Sequence, residues 1–134
     1  MAANVVPIFP LTPKIGFATV ATANTALDGT GSPATIFTAG SNGARVDQII
    51  ISHLGTNIDT VARIFINNGS TTATATNNAL YAEFDMGANT LSQVAVSVQQ
   101  FGSGLTLPAG YTLTATVGTT IAAGVKFLVI GGDY

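Results

Sequence analysis

Cysteine is absent from the 134 residues, and so is tryptophan. Without cysteine there are no disulfides, no thiolate metal ligands and no thiol nucleophile, so the fold must hold without covalent staples. Charge is also scarce: four basic and six acidic residues make up 7% of the chain, against roughly a quarter in an average soluble domain. The basic residues Lys14, Arg45, Arg63 and Lys126 are scattered. Nucleic-acid binding needs clustered cations to displace phosphate counterions, so that partner is not expected. Thr, Asn or Gly interrupts every apolar stretch well short of the roughly 20 residues that cross a bilayer, and no membrane partner is expected. The first residues lack the basic-then-apolar order of a signal peptide, so synthesis in a cytoplasm is the expectation. The sequon Asn68-Gly69-Ser70 then reads as a turn.

What remains is 47% hydrophobic residues, with Thr, Ser, Asn, Gly and Ala left to build the surface. Such a surface, at a net charge of -2, supplies little repulsion between copies, and self-association is the simpler expectation. The length suits one domain, which at this size buries roughly two-thirds of its unfolded surface.

Residues 1–15 place Pro7, Pro10 and Pro13 three apart. That spacing fits a polyproline II segment and excludes a helix. This extended arm, followed by a β domain over 16–134, carries Val5, Val6, Ile8, Phe9 and Leu11. These need a surface to cover, on a neighbouring subunit or on the chain's own core.

From Gly16 onward the chain reads as short strands punctuated by turns, with strands expected near 15–22, 34–39, 44–54, 60–67, 79–86, 92–100, 111–117 and 124–131. Asp28-Gly29, Asn42-Gly43, Asn68-Gly69 and Pro108-Ala109-Gly110 are the turn signals, because they tolerate positive φ. Leu80, Ala82, Phe84 and Met86 alternate with Tyr81, Glu83 and Asp85, as a half-buried antiparallel strand does. Two segments break the alternation, Ile49-Ile50-Ile51 and Phe127-Leu128-Val129-Ile130. Either these strands are central between two layers or their second face meets another subunit, which makes Ile49, Ile51 and Phe127 candidates for a packed interior or an interface. The expected architecture is all-β, a two-layer antiparallel β-sandwich of about eight strands with jelly-roll-like connectivity.

Residues that could carry chemistry are few. His53, the single histidine, has Asp47 and Asp59 six positions away on either side, but no G-x-S-x-G elbow accompanies it, so it reads as a packing or surface residue. Glu83 and Asp85 share a strand face yet fall short of the six or more oxygens calcium takes, and as i, i+2 neighbours they cannot flank a scissile glycosidic bond. Gly102-Ser103-Gly104 lacks a following lysine and a helix, and reads as a strand connection after Phe101. The stretch NNGSTTATATNNA reads as an exposed loop, a place where some proteins bind glycans or receptors. No enzyme activity, cofactor, metal or small-molecule substrate is expected.

The order of ARVDQIIISHLGTN, ARIFINNGS, NALYAEFDM, LTLPAGYTLTATVGT and the terminal VIGGDY resembles small virion proteins of tailed bacteriophages, particularly capsid decoration or cement proteins. The resemblance covers residues 44–134, with Leu107-Pro108-Ala109-Gly110-Tyr111 and Gly131-Gly132-Asp133-Tyr134 its most distinctive pieces. It implies a β-rich protein on the capsid surface of a virion, made in the bacterial host cytoplasm, often a homotrimer, clamping the lattice of the major capsid protein. It carries over no functional residue. Other readings are a head-fibre base, tail or receptor-binding component of a virion, and a carbohydrate-binding sandwich, which would usually present exposed aromatic residues.

Overall fold

The computed structural model describes residues 8–90, 92 and 98–134. Eight strands fill them: β1 (Thr12–Val20), β2 (Ala34–Thr38), β3 (Ala44–His53), β4 (Thr60–Asn67), β5 (Asn78–Met86), β6 (Val98–Leu107), β7 (Thr112–Val117) and β8 (Val125–Asp133). They form two four-stranded sheets, ordered β1-β8-β3-β6 and β2-β7-β4-β5, and every pairing between the strands is antiparallel. Only the β4–β5 connection stays within one sheet; the others cross between sheets, which is jelly-roll connectivity. Among the described residues no helix is long and apolar enough to cross a membrane.

Period-two patterning places the core. Val46, Ile49, Ile51, Val125, Phe127 and Val129 from one sheet meet Ile36, Ala62, Ile64, Leu113, Ala115 and Val117 from the other. All four turn signals read from the sequence are turns with glycine at positive φ: Gly29 (77°), Gly43 (88°), Gly69 (88°) and Gly110 (74°). Glycine reaches that region without a Cβ penalty. Near β1 the sheets approach so closely that a side chain at Gly16 would collide with the Ile36 carbonyl.

The sixth strand departs from the expected 92–100, of which residues 93–97 lie outside the described set. β6 runs on through Phe101 to Leu107, so Phe101 does not end a strand and Gly102-Ser103-Gly104 is no connection. Val46 pairs with Leu105 and Gln48 with Gly102, which leaves two residues of β6 opposite one of β3. This is a β-bulge with Gly104 at φ 58°. The bulge displaces Ser103, whose Oγ lies 2.8 Å from the Tyr81 hydroxyl of the opposite sheet.

At its start, β1 takes in Thr12 to Ile15, residues assigned to the arm from sequence. Pro13 sits in an edge strand, where a residue without an N–H is tolerated.

Candidate assembly surface

The two sheets treat their outer faces differently. On β2-β7-β4-β5 the connection 21–33 comes down over the outside: the Asn24 N–H donates to the Val117 carbonyl, and Gly29 lies against Phe65 and Asn78. Phe65, Thr114 and Thr116, which point away from the core, are thereby fully buried.

Among the described residues, nothing comparable lies over the outer face of β1-β8-β3-β6. The registers set its residues in three rows: Phe17–Leu128–Ile50–Gln100, Ile15–Ile130–Gln48–Gly102 and Thr19–Lys126–Ser52–Val98. Ile15 and Phe17 are 61% and 64% exposed, and Ile50, Leu128 and Ile130 are partly exposed. No acidic residue stands in these rows, and the single cation, Lys126, has its Nζ 5.3 Å from the centre of the Phe17 ring. The outward side of a solvated antiparallel sheet is ordinarily polar, so a row of Phe, Leu and Ile makes this face a candidate binding surface.

The arm reaches the same corner. The Leu11 N–H donates to the Asp133 carbonyl at 2.9 Å, continuing the β1–β8 ladder. Pro10 then packs over Gly132, where a side chain would strike the proline ring. Asp133 fixes this root: its Oδ2 accepts from Lys14 Nζ at 2.8 Å and its Oδ1 from the Gly40 N–H at 3.0 Å. The hydrogen bond from Lys14 holds the carboxyl below the usual carboxylate range, helped by the Gly40 N–H and opposed by desolvation.

Of the assembly residues named from sequence, Ile8, Phe9 and Leu11 are 63%, 69% and 83% exposed. Val5 and Val6 lie outside the described residues. Of the two readings of Ile49, Ile51 and Phe127, packed interior holds and interface does not: each is fully buried in the chain's own core. They stand on the inward phase of central strands, and the outward phase is Ile50, Leu128 and Ile130. Sequence reasoning missed those three together with Ile15 and Phe17. A signal was present: Lys126 precedes Leu128 and Ile130 at period two, and Gln48 and Ser52 flank Ile50, so each polar residue marks the outward phase.

His53 has a structural task. Asn57 Nδ2 donates to the Gly124 carbonyl at 3.0 Å and lies 2.9 Å from His53 Nδ1. The Asn57 amide thereby ties the His53 ring to the turn at Gly124. Asp47 accepts from Arg45 Nε, Asp59 from the Ala88 N–H, and Glu83 from Arg63 Nε. The polar loop 68–77 is tied at its base by Asn67 Nδ2 to Asn78 Oδ1 (2.8 Å) and Asn68 Nδ2 to Asn77 Oδ1 (3.2 Å). Among the described residues no group of three or more His, Cys, Asp or Glu is placed to hold a metal.

Fold and surface define a jelly-roll sandwich with an apolar strap rooted beside one sheet face that is apolar and, among the described residues, uncovered. No protein-family model matches the sequence, and no curated protein matches it. The chain is similar to a chain in a structure of infectious bursal disease virus, Gx strain, at 11% identity and a TM-score of 0.31, covering 98% of this chain and 36% of that one.

Proposed function

We propose that this chain is a structural protein of a virion, a decoration or cement protein that binds the assembled capsid of a tailed bacteriophage in many copies and adds no chemistry of its own. The observation that carries this reading is the uncovered apolar face of β1-β8-β3-β6 with the arm beside it. Large uncharged area is what a protein needs to hold neighbouring subunits together. The segment order from ARVDQIIISHLGTN to VIGGDY, with its likeness to phage decoration proteins, gives the reading its particular form. Binding the closed lattice and not its dissociated subunits stabilises the shell by mass action. The partners are then further copies of this chain and the major capsid protein.

The test is co-sedimentation of the purified chain with undecorated shells and, separately, with dissociated capsid subunits. Saturable binding to shells alone, with a raised disruption temperature, is the expected result. Failure to bind shells would overturn the role.

A further inference from the structure

We infer that the bare face of β1-β8-β3-β6 is the seat for the N-terminal arm of a second copy of this chain, so that copies are joined by exchanged arms. Both halves of such a contact are present in one chain, and among the described residues both are left exposed. The arm is anchored at Leu11 and Pro10, yet Ile8, Phe9 and Leu11 remain mostly exposed. The face keeps Ile15 and Phe17 mostly exposed with residues 8–11 already in place. Among the described residues, the chain's own domain therefore covers neither Ile8, Phe9 and Leu11 nor Ile15 and Phe17. The opposite sheet shows what self-cover looks like here, since residues 21–33 bury Phe65 completely.

Length and chemistry fit. Four strands at a spacing of about 4.8 Å make a face about 15 Å wide, and residues 1–11, which precede β1, span roughly 34 Å when extended at about 3.1 Å per residue. That is enough to leave one domain and cross the face of the next. Residues 1–11 contain no charged side chain, and the three rows of the face contain one, Lys126. In these rows the contact would cover one charge, that of Lys126, whose Nζ lies 5.3 Å from the centre of the Phe17 ring. Phe9 and Thr12 each precede a proline, which biases both to extended backbone and against a reversal that would lay the arm on its own sheet.

The proposal rests on the reading that this face is an assembly surface, and its test leaves particles out so that the two can fail separately. The chain has no cysteine, so single thiols report without background. Phe9→Cys and Phe17→Cys, both at exposed positions, are made in full-length chains carrying different mass tags, co-expressed, and treated with a short bismaleimide. A covalent dimer containing one of each variant is expected, and it should be lost when Ile15→Asp is added to the Phe17→Cys chain with the fold retained by circular dichroism. Absence of the mixed dimer would overturn the inference. So would a doubly substituted chain that links only to itself, which would make the arm a strap over its own domain. Cross-linking without shell binding would keep arm exchange and remove the capsid role; shell binding without cross-linking would do the reverse.

Discussion

Asp133 joins three parts of the chain at one rim of the sandwich: Lys14 on β1, the turn at Gly40, and the arm through its carbonyl and Leu11. Because folding lowers its pKa, its contribution is present above the unfolded value of about 4 and is lost as pH falls through the folded value. Asp133→Asn should therefore melt lower at neutral pH and show a shallower loss of stability on acidification below about pH 4, read by thermal melts across pH. A second single-residue case has the opposite sign. The Thr114 hydroxyl is fully buried and has no hydrogen-bond partner among the described residues. A buried hydroxyl without a partner costs about 1–3 kcal/mol. Thr114→Val, close in shape, should raise stability by about 1 kcal/mol in denaturant titration, and a loss of that size would show that the hydroxyl is satisfied.

At the scale of elements, β8 is the informative strand, because its apolar run 127–130 hides two faces with different tasks. Phe127→Ala should cost about 3–5 kcal/mol, as for a fully buried aromatic ring. Leu128→Ala, on the outward phase, should cost clearly less in the isolated domain and act on assembly. Equal destabilisation would show the phase to be wrong. The turns and most strands were legible in the sequence, since Asp-Gly, Asn-Gly and Pro-Ala-Gly prescribe local backbone, and alternation as in 80–86 prescribes a two-faced strand. The inward and outward phases of β3 and β8 were obscured by unbroken apolar runs, in which either phase looks buried. The bulge in β6 reads from sequence as a strand connection, because Gly-Ser-Gly signals a bend equally well in both. The cover of one sheet by residues 21–33 depends on contacts far apart in sequence and had no local signal.

For the whole molecule, three of the four cations are spent in ion pairs, Lys14–Asp133, Arg45–Asp47 and Arg63–Glu83. The fourth, Lys126, stacks on Phe17. Little charge is left to steer or repel a partner, so association should depend weakly on salt, in contrast to a protein that docks by electrostatics. Sedimentation of the free chain at low and high ionic strength should give the same distribution, and dissociation by salt would contradict an apolar contact. On the proposed role, each large side chain of the arm or face would stabilise assembly by about 1.5–3 kcal/mol if fully buried, and repetition over many copies would multiply that effect. The central claim is that this chain acts by area, in an array, on a closed shell. Electron cryomicroscopy of purified particles tests it most directly: the account predicts sandwich density repeated across the capsid surface, with an arm crossing from each copy to the outer face of β1-β8-β3-β6 in its neighbour. Density confined to one vertex or to the tail, or none on the shell at all, would contradict it.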